Sequence, residues 1–538
     1  MVTGKHSFAF LGSLLCFMLV APVHAVLEIN NAQPKVSAAQ WKTVLDSAWS
    51  GIKARNIAPY TVDPGLVHRP KSETPGDAVS EGVGYGMLVA LFENDQATFN
   101  TIWEAGNTYL WSSNHYDWYI GPTGSKNGNS GAATDAEEDI ALALIFADKL
   151  VEKGYWKDYS SAARGRYAAQ AQTILNAMWS SSEITSSGTL APGANWGGDN
   201  FVNPGYFSPA WYRIFKSFDT NTSHDWDKVI TRSYSIIAKS PGYAYGLMPD
   251  WMTPDGAYTS GQGYNSYLSG KAMFKDAIRT LWRIAIDAIW FDDANAKAYL
   301  TNALAFINSK GGAAAANFYQ IEGTNLGEPV PGADIWTDFN DKTDSTTWRY
   351  RREHSHLTIA MWATAAMAVG TDEDKKAFSA ELAKYYGHAE KETFFGLVTD
   401  TTGGLEDTLH NEMYFDQFLA WFGASLMSGT FTNVVGNLDS PKTNTEGIVY
   451  DPFPDAIPAA RNIARTALTV QYAESSVLLS APSSWKETSW QVRNIRGEII
   501  AGGAGESFTM SASHYGRGVF LVTAKSASGK ASRKVMLQ

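Results

Sequence analysis

Segments with the period of an amphipathic α-helix recur from about residue 36 to residue 430. Most of them carry apolar residues at i, i+3, i+4 and i+7, so that each helix has one stripe to bury. About a dozen helices of about 15 residues, with their loops, fill about 400 residues, and a toroid of paired helices fits this length. No fixed short repeat is visible, which disfavours an open solenoid.

The pattern changes after Asn437. Residues 437–464 are rich in Pro, Asp and Thr, which is typical of a linker or a wrapped edge segment. Residues 465–538 alternate apolar and polar positions between turn residues, and this predicts a small β-sandwich. We therefore predict a mainly α chain with a helical domain at 26–436, a linker, and a small β domain.

The N-terminus has the features of a targeting segment. Lys5 and His6 precede an apolar run at 8–20, and residues 23–25 resemble a cleavage site. The run is too short to span a membrane comfortably. We expect residues 1–25 to be a signal peptide and the protein to be exported. Because the only cysteine, Cys16, lies in this segment, we expect no disulfide in the exported chain.

Charge and aromatic content restrict the class of partner. A net charge of −11 argues against nucleic acid, which favours a clustered basic surface. It does not oppose a neutral polysaccharide, and it would also suit a cationic polymer such as chitosan. Aromatic residues make up 13% of the chain. Their flat faces suit the stacking of sugar rings, although they could equally fill a large core.

The segment SEGVGYGMLVAL places Glu81 before glycines at 82, 84 and 86. Glycine in a helix costs about 0.5–1 kcal/mol relative to alanine, so a close approach by another backbone or a ligand would explain it. Glu81 would then lie at the mouth of the helix, partly desolvated by Tyr85, with the raised pKa that a general acid needs. The alternative is an acid that favours the helix dipole, with glycines that serve packing alone.

The segment ATDAEEDIALAL predicts a helix that begins with a capping box of Thr134 and Glu137. Four acidic residues open this helix: Asp135, Glu137, Glu138 and Asp139. The capping arrangement favours a structural role for them. The alternative is a carboxylate that bonds sugar hydroxyls, because the cluster follows a long loop that contains Trp118.

In KDAIRTLWRIAIDAIW, Asp276 and Arg279 lie near a helix start and off the apolar stripe. The two could be a surface pair of little energetic weight. They could instead face a groove, where Arg279 would keep Asp276 ionised and ready to take a proton from water. The sequence leaves this open. Cleavage of a glycosidic bond needs two carboxyl groups, one protonated and one ionised.

Other chemistries have little support. The chain has no HExxH, GxSxG or GxxxxGK[ST] motif. His354 and His356 beside Glu353 could bind a metal, but a hydrogen-bonded structural role is favoured. We expect no metal and no cofactor.

Several motifs occur in one order: SEGVGYGMLVAL, SGAATDAEEDIALAL, NPGYFSPAWYRIF, GLMPDW and KDAIRTLWRIAIDAIW. This set resembles glycoside hydrolase family 8, which includes bacterial endoglucanases, chitosanases, lichenases and xylanases. The resemblance spans about residues 36–430. It implies an (α/α)6 barrel and hydrolysis with inversion at the anomeric carbon.

The resemblance also implies roles for residues at matching positions. Glu81 would be the proton donor, and Asp276 the base that activates water. Four residues would bind or position substrate: Asp135 at the ring distorted at the cleavage point, Tyr206 at the water, Arg279 beside the base, and Trp118 as a stacking platform. The chain departs from the usual pattern at Glu137, where Asp is commoner.

The tail, NIRGEIIAG to the end, resembles the C-terminal sorting domain of the type IX secretion system. This would imply export across an outer membrane and possible surface attachment. We therefore predict a secreted inverting endo-β-1,4-glucanase that hydrolyses cellulose or related β-glucans. One alternative is the same machinery acting on xylan, mixed-linkage glucan or chitosan. Another is a non-catalytic carbohydrate-binding surface protein.

Overall fold

The structure is a computed structural model. It describes residues 38–69, 76–125, 130–194, 196–259, 271–323, 354–385, 414–439, 469–473, 476–481, 488–494, 499–515, 518–526 and 529–537. The chain divides into two compact units, Met1–Pro452 and Phe453–Gln538. The predicted signal peptide at 1–25 and nearly all of the predicted linker at 437–464 lie outside the described residues, so these boundaries stay predictions.

The first unit is mainly helical, as predicted. Its helices are α1 (Ala38–Ile52), α2 (Ser80–Phe92), α3 (Gln96–Tyr109), α4 (Thr134–Glu152), α5 (Tyr167–Ser180), α6 (Pro209–Phe218), α7 (Trp226–Ile237), α8 (Arg279–Phe291), α9 (Ala294–Lys310), α10 (His356–Val369), α11 (Asp372–Ala383), α12 (Tyr414–Ser428) and α13 (Val434–Asp439). A π-helical turn at Lys53–Ile57 follows α1, and 3-10 turns lie at Pro204–Tyr206, Tyr243–Tyr245 and Gly312–Ala315.

Short antiparallel strand pairs join the loops of this unit. They are β1 (Ala78–Val79) with β4 (Tyr119–Ile120), β2 (Trp111–Ser112) with β3 (His115–Tyr116), β5 (Ser160–Ser161) with β6 (Gly165–Arg166), and β7 (Ala272–Met273) with β8 (Tyr319–Gln320). The β1–β4 pair comes directly before α2, and β7 comes shortly before α8. Both pairs therefore fix the loops that lead into helix starts.

Six of the described helices follow one another in space. Each of α2, α4, α6, α8, α10 and α12 packs against the next, and α12 packs back against α2. The helices between them in sequence each pack against at least one helix of this ring, and α1 packs on α12. Helices α2 and α10 are apolar all round, and nearly all of their residues are buried. A helix without a polar face belongs in a protein interior, which agrees with their place in the ring.

The glycines of α2 allow its neighbours to come close. A Cβ at Gly84 would lie 2.9 Å from Cβ of Asp139 on α4, and one at Gly86 would lie 2.8 Å from Val67. The close approach that the sequence predicts is therefore made by protein atoms of this unit. It brings the start of α2, with Glu81, against the start of α4.

The second unit contains two antiparallel sheets in its described residues. One has the order β13 (Ser507–Ser511), β10 (Ser476–Ser480), β9 (Thr469–Ala473). The other has the order β12 (Ile499–Ala504), β11 (Ser489–Arg493), β14 (Gly518–Ser526), β15 (Gly529–Leu537). A short helix, α14 (Ala512–Tyr515), follows β13. A buried apolar cluster draws on both sheets, including Leu479, Met510, Trp490 and Val522. Across the described parts of both units, no helix is long and apolar enough to cross a membrane.

Candidate active site

Among the described residues, three carboxyl groups converge on the guanidinium of Arg279, the first residue of α8. Its Nη1 lies 2.5 Å from Oε2 of Glu81 and 2.7 Å from Oδ2 of Asp135. Its Nη2 lies 3.2 Å from Oδ1 of Asp276. The Arg279 side chain is 1% exposed, so that little water screens these contacts. Arg279 therefore does not form a surface pair with Asp276; it joins all three carboxyl groups in one site.

Glu81 owes its position to the strand pair before α2. The Ser80 N–H donates to the backbone oxygen of Trp118, 3.0 Å away, which ties the helix start to the residue before β4. Glu81 lies in the first turn, and its side chain is 14% exposed. Oε1 accepts a hydrogen bond from the hydroxyl of Tyr414 on α12. Both carboxylate oxygens of Glu81 thus contact protein groups.

The surroundings of Glu81 favour its protonated form. Burial raises its pKa to about 7, and the nearby carboxylates of Asp135 and Asp276 act in the same direction. The positive charge of Arg279 and the hydrogen bond from Tyr414 act in the opposite direction, but they do not cancel the effect of burial. A carboxyl group with this pKa keeps its proton in weakly acidic solution, as a general acid must.

Asp276 lies in the turn before α8, three residues earlier than the helix start. The buried carboxylate of Asp250 accepts the backbone N–H groups of Phe274 and Ala277, both at 2.9 Å, and so fixes the shape of this turn. On another side, a Cβ at Gly205 would lie 2.1 Å from the backbone oxygen of Asp276. Only glycine lets the 204–206 turn approach this closely, so both loops hold Asp276 in place.

The Asp276 side chain is 33% exposed, which makes it the most open of the three carboxyl groups. Its pKa is raised, mainly by desolvation and further by the charge of Asp135, whereas Arg279 lowers it. Arg279 thus lowers the pKa of Asp276, as predicted, but burial raises that pKa by more. Asp276 combines access to water with a cationic partner.

Tyr206 lies against the same guanidinium. It ends the 3-10 turn Pro204–Tyr206, and Cζ of Arg279 lies 5.0 Å from the centre of its ring. The side chain of Asn203 accepts the Gly205 N–H at 2.9 Å and fixes the turn. Burial, followed by the charge of Asp135, raises the pKa of Tyr206 well above its usual value, so the hydroxyl stays protonated.

Trp118 is 43% exposed and lies next to the start of α2 through the hydrogen bond with Ser80. Its ring is tilted by 40° against Tyr119, with 5.1 Å between the ring centres. The indole thus packs on Tyr119 and is open to solvent, and the backbone of Trp118 lies beside the residue that precedes Glu81. This placement suits a stacking platform, although that role stays a prediction.

The capping box predicted at the start of α4 is wrong. The N-cap residue is Ala133, which makes no side-chain capping bond, and Thr134 is the first helical residue. Oε1 of Glu137 instead accepts the backbone N–H of Tyr116 at 2.6 Å, because β3 brings that donor to the helix. Asp135 lies one residue into α4 with its side chain 2% exposed, and its contact with Arg279 gives it a place in the site.

A second ion pair, between Arg283 and Asp139, lies one helical turn further along α8 and α4 than the pair of Arg279 and Asp135. Arg283, fully buried on α8, holds both oxygens of Asp139 at 3.0 and 2.9 Å. Glu138 accepts hydrogen bonds from Ser208 and Tyr212 at 2.9 and 2.6 Å. Because Asp135 and Asp139 are four residues apart on α4, as Arg279 and Arg283 are on α8, the two helices face each other through paired charges.

A third charged residue, the buried Asp287, continues this face of α8. Asp287 accepts hydrogen bonds from Nε of Arg213 at 2.8 Å and from the hydroxyl of Tyr234 at 2.5 Å. Arg279, Arg283 and Asp287 therefore form a polar column, with one charged residue in each turn of α8, and all three are nearly inaccessible to water. This column fixes the rotation of α8 and with it the direction of Arg279.

Comparison with known proteins identifies the family. The family model for glycosyl hydrolases family 8 matches residues 34–327, which is more than half of the chain. The chain belongs to glycoside hydrolase family 8. The matched segment contains Glu81, Asp135, Asp276 and Arg279, and it ends before α10.

Named family 8 relatives include two endoglucanases. Endoglucanase A of Acetivibrio thermocellus is 34% identical over 288 residues, which cover 53% of this chain and 57% of that protein. Endoglucanase C of Ruminiclostridium cellulolyticum is 35% identical over 257 residues, covering 47% of this chain and 52% of that protein. The chain thus spans only about half of the length of these relatives.

Solved structures show the same fold. Rex8A from Paenibacillus barcinonensis, complexed with xylose, superposes with a TM-score of 0.57 at 20% identity. The superposition covers 75% of this chain and 98% of that chain. At this identity the likeness concerns the fold alone.

Two residues of this family 8 site were missed in the sequence. Tyr414 is 333 residues from Glu81, and no local pattern connects them. Asp250 belongs to GLMPDW, one of the segments that carry the resemblance, and its place after a proline in a loop could have drawn attention to it. Its hydrogen bonds to the turn of Asp276 could not be read from the sequence.

The histidine pair has a structural role, at least through His354. Its Nδ1 lies 2.8 Å from the backbone oxygen of Ala316, and its Nε2 lies 3.0 Å from Glu381. Glu353 lies outside the described residues. In the described part of this family 8 chain, no group of three His, Cys, Asp or Glu side chains is arranged to hold a metal ion.

Proposed function

We propose that the chain is a secreted inverting endo-β-1,4-glucanase that hydrolyses cellulose or related β-glucans. The observation that carries this proposal is the contact of Glu81 and Asp276 with a single buried guanidinium, one carboxyl group enclosed and the other open to water. The support from comparison is that relatives at 33–35% identity carry the name endoglucanase.

In the proposed reaction, Glu81 donates its proton to the glycosidic oxygen as the bond to the anomeric carbon breaks. Asp276 accepts a proton from a water molecule, whose oxygen attacks the anomeric carbon from the opposite face. One bond to oxygen breaks and another forms, with inversion of configuration. Afterwards the proton on Asp276 must be lost and Glu81 must regain one.

The spacing of the two carboxyl groups admits this mechanism. Because Glu81 and Asp276 contact the same planar guanidinium at 2.5 and 3.2 Å, their oxygens lie within about 8 Å of each other. Inverting enzymes keep the two carboxyl groups about 6.5–9.5 Å apart, which leaves room for the water. The upper limit of about 8 Å that Arg279 sets on the distance between the two carboxyl groups falls inside this range.

The remaining residues would bind substrate. Asp135, held by Arg279, would accept hydrogen bonds from the sugar ring at the cleavage point. Tyr206 would hold the attacking water near Asp276, because its hydroxyl stays protonated and can donate. The exposed indole of Trp118 would stack on a neighbouring sugar ring.

The architecture follows from the same family assignment. The ring of inner helices, with their partners outside, is proposed to be the (α/α)6 barrel, and the two sheets of the second unit a β-sandwich. The sequence features at residues 1–25 support export by a signal peptide. The resemblance of the tail to a type IX sorting domain supports delivery to the outside of the cell or its outer surface.

A second substrate class has specific support. Relatives named reducing end xylose-releasing exo-oligoxylanase, from Halalkalibacterium halodurans and Bifidobacterium adolescentis, are 29% and 23% identical to the chain. The same machinery acting on xylan is therefore the principal alternative, with mixed-linkage glucan and chitosan behind it. A non-catalytic binding protein is disfavoured, because it would need neither a protonated acid nor a base.

The test measures new reducing ends released from carboxymethylcellulose, lichenan, xylan and chitosan by the full chain. We expect the highest initial rate on a β-1,4-glucan, a fast fall in viscosity, and the α-anomer as first product by NMR. A higher rate on xylan would replace the substrate. No reducing ends from any of the polymers, or the β-anomer as first product, would refute the proposed function or its stereochemistry.

A further inference from the structure

The first turn of α12 closes one side of the carboxylate cluster. Tyr414 is 5% exposed, and its hydroxyl meets Oε1 of Glu81. The ring of Phe415 lies 5.5 Å from Cζ of Arg279, and that of Phe418 lies 5.8 Å from the ring of Tyr85. This turn lies outside residues 34–327, the segment on which the family assignment rests.

We propose that Tyr414 is a positioning residue for the general acid, which it holds through the carboxylate oxygen that Arg279 leaves free. The proposal rests on the proposed function of Glu81. The proposal adds α12 to the active site, although α12 lies outside the sequence motifs that carry the resemblance and outside residues 34–327.

The hydroxyl of Tyr414 can serve Glu81 in both of its protonation states. A guanidinium only donates hydrogen bonds, so the contact of Arg279 with Oε2 suits the ionised carboxylate. A phenol both donates and accepts, so that Tyr414 can face a protonated carboxyl group before the reaction and donate to the carboxylate after it. The contact can therefore persist while Glu81 gives up its proton.

Tyr414 should favour the state formed by proton transfer. A hydrogen bond to an ionised carboxylate is roughly twice as strong as one between neutral groups. The bond therefore strengthens as the proton moves to the leaving oxygen, and an interaction of this kind raises kcat. Without the hydroxyl, Glu81 would keep its proton more tightly and its carboxyl group would be held on one side only.

The test compares the full chain with Tyr414→Phe, using kcat and kcat/KM over a range of pH on a soluble β-glucan. We expect kcat at the pH optimum to fall about tenfold, with KM nearly unchanged, and the alkaline limb of kcat/KM to move up by about one pH unit. The loss should be much smaller on β-cellobiosyl fluoride, because fluoride leaves with little help from an acid.

Tyr234→Phe is the matched control. It removes a tyrosine hydroxyl from the buried carboxylate of Asp287, two turns along α8 from Arg279. We expect it to lower stability without moving the alkaline limb. If Tyr414→Phe leaves kcat and the alkaline limb unchanged, or loses as much activity on the fluoride as on the glucan, the positioning role is refuted.

Difluorotyrosine at position 414 keeps the proposal testable if Tyr414→Phe fails to fold. It has nearly the size of tyrosine but is a stronger hydrogen-bond donor, so the alkaline limb should move to lower pH. An unmoved limb would count against the proposal. These outcomes are distinct from failure of the proposed function, in which the unaltered chain would release no reducing ends from any polymer.

Discussion

Glu81 and Arg279 lie 198 residues apart in the chain, and 2.5 Å separate Oε2 of the one from Nη1 of the other. The same guanidinium reaches Asp135 and Asp276. Because Arg279 always carries a charge and is held by the polar column of α8, it sets the positions of all three carboxyl groups.

Glu81→Gln keeps the shape of the side chain and removes the proton donor. We expect kcat on a soluble β-glucan to fall by about three orders of magnitude, because general acid catalysis contributes about 10²–10⁴-fold. Reducing-end assays measure the loss, and circular dichroism checks the fold. Glu104→Gln is the control. The carboxylate of Glu104 accepts hydrogen bonds from Tyr159 and Ser161, and we expect this variant to stay active. Activity within tenfold of the unaltered chain would remove Glu81 from the mechanism.

The pH dependence of kcat/KM should be bell-shaped. Glu81 must be protonated, and since its pKa is raised to about 7, activity should fall as the pH rises through about 7. Asp276 must be ionised, and because its pKa is raised above the usual 3.8, activity should fall on the acid side at a pH above that value. Initial rates measured between about pH 3 and pH 9 test both limbs of the profile. An alkaline limb near pH 5 would contradict the assignment of the acid.

Gly205→Ala should damage the site through the backbone. The added Cβ would lie 2.1 Å from the backbone oxygen of Asp276, a distance that requires the turn carrying the base to move. We expect kcat to fall about 10²-fold, since a displacement of about 1 Å in the site can have this effect. At Gly121 the nearest atom would be 3.5 Å away, so Gly121→Ala is the matched control. Equal activities of the two variants would show that the contact is not tight.

Glu183 should make the stability of the protein depend on pH. It is fully buried and accepts a hydrogen bond from Ser181 at 2.8 Å; burial raises its pKa from 4.5 to about 7. A raised pKa in the folded state means that stability is complete below pH 4.5 and is lost as the pH rises through about 7. The loss should reach about 3 kcal/mol.

Thermal unfolding at several pH values tests this effect. We expect Tm of the unaltered chain to fall between about pH 4.5 and pH 7, and Glu183→Gln to flatten that fall. Glu373→Gln on the exposed first turn of α11 serves as the control and should leave it as it was. The same slope in Glu183→Gln and the unaltered chain would assign the pH dependence to other groups.

The helices of the first unit were predictable because the signal is local. An apolar residue at every third or fourth position is present in the sequence of most of these helices, and it predicts a helix with one buried face wherever that helix packs. The roles proposed for Glu81 and Asp276 depend on the resemblance as well, since spacing alone could not show that the two segments meet. The structure brings both to Arg279 through the packing of α2, α4 and α8.

Two features of the site could not be predicted, for one physical reason. The capping box of Thr134 and Glu137 fits the local pattern, but the backbone N–H of Tyr116 on β3 offers Glu137 a different donor. Tyr414 reaches Glu81 only because α12 closes the ring of helices against α2. In both cases the partner is distant in sequence, and tertiary contacts override or add to the local pattern.

The polar column of α8 has a consequence for building chimeric enzymes. Arg279, Arg283 and Asp287 are all matched by residues on other helices, among them Asp139 on α4 and Tyr234 on α7. Grafting α8 alone into a related scaffold would leave its buried charged residues without the partners that neutralise or hydrogen-bond them. Recombination should therefore exchange these helices as one block, and crossovers between α4 and α8 should yield few folded proteins.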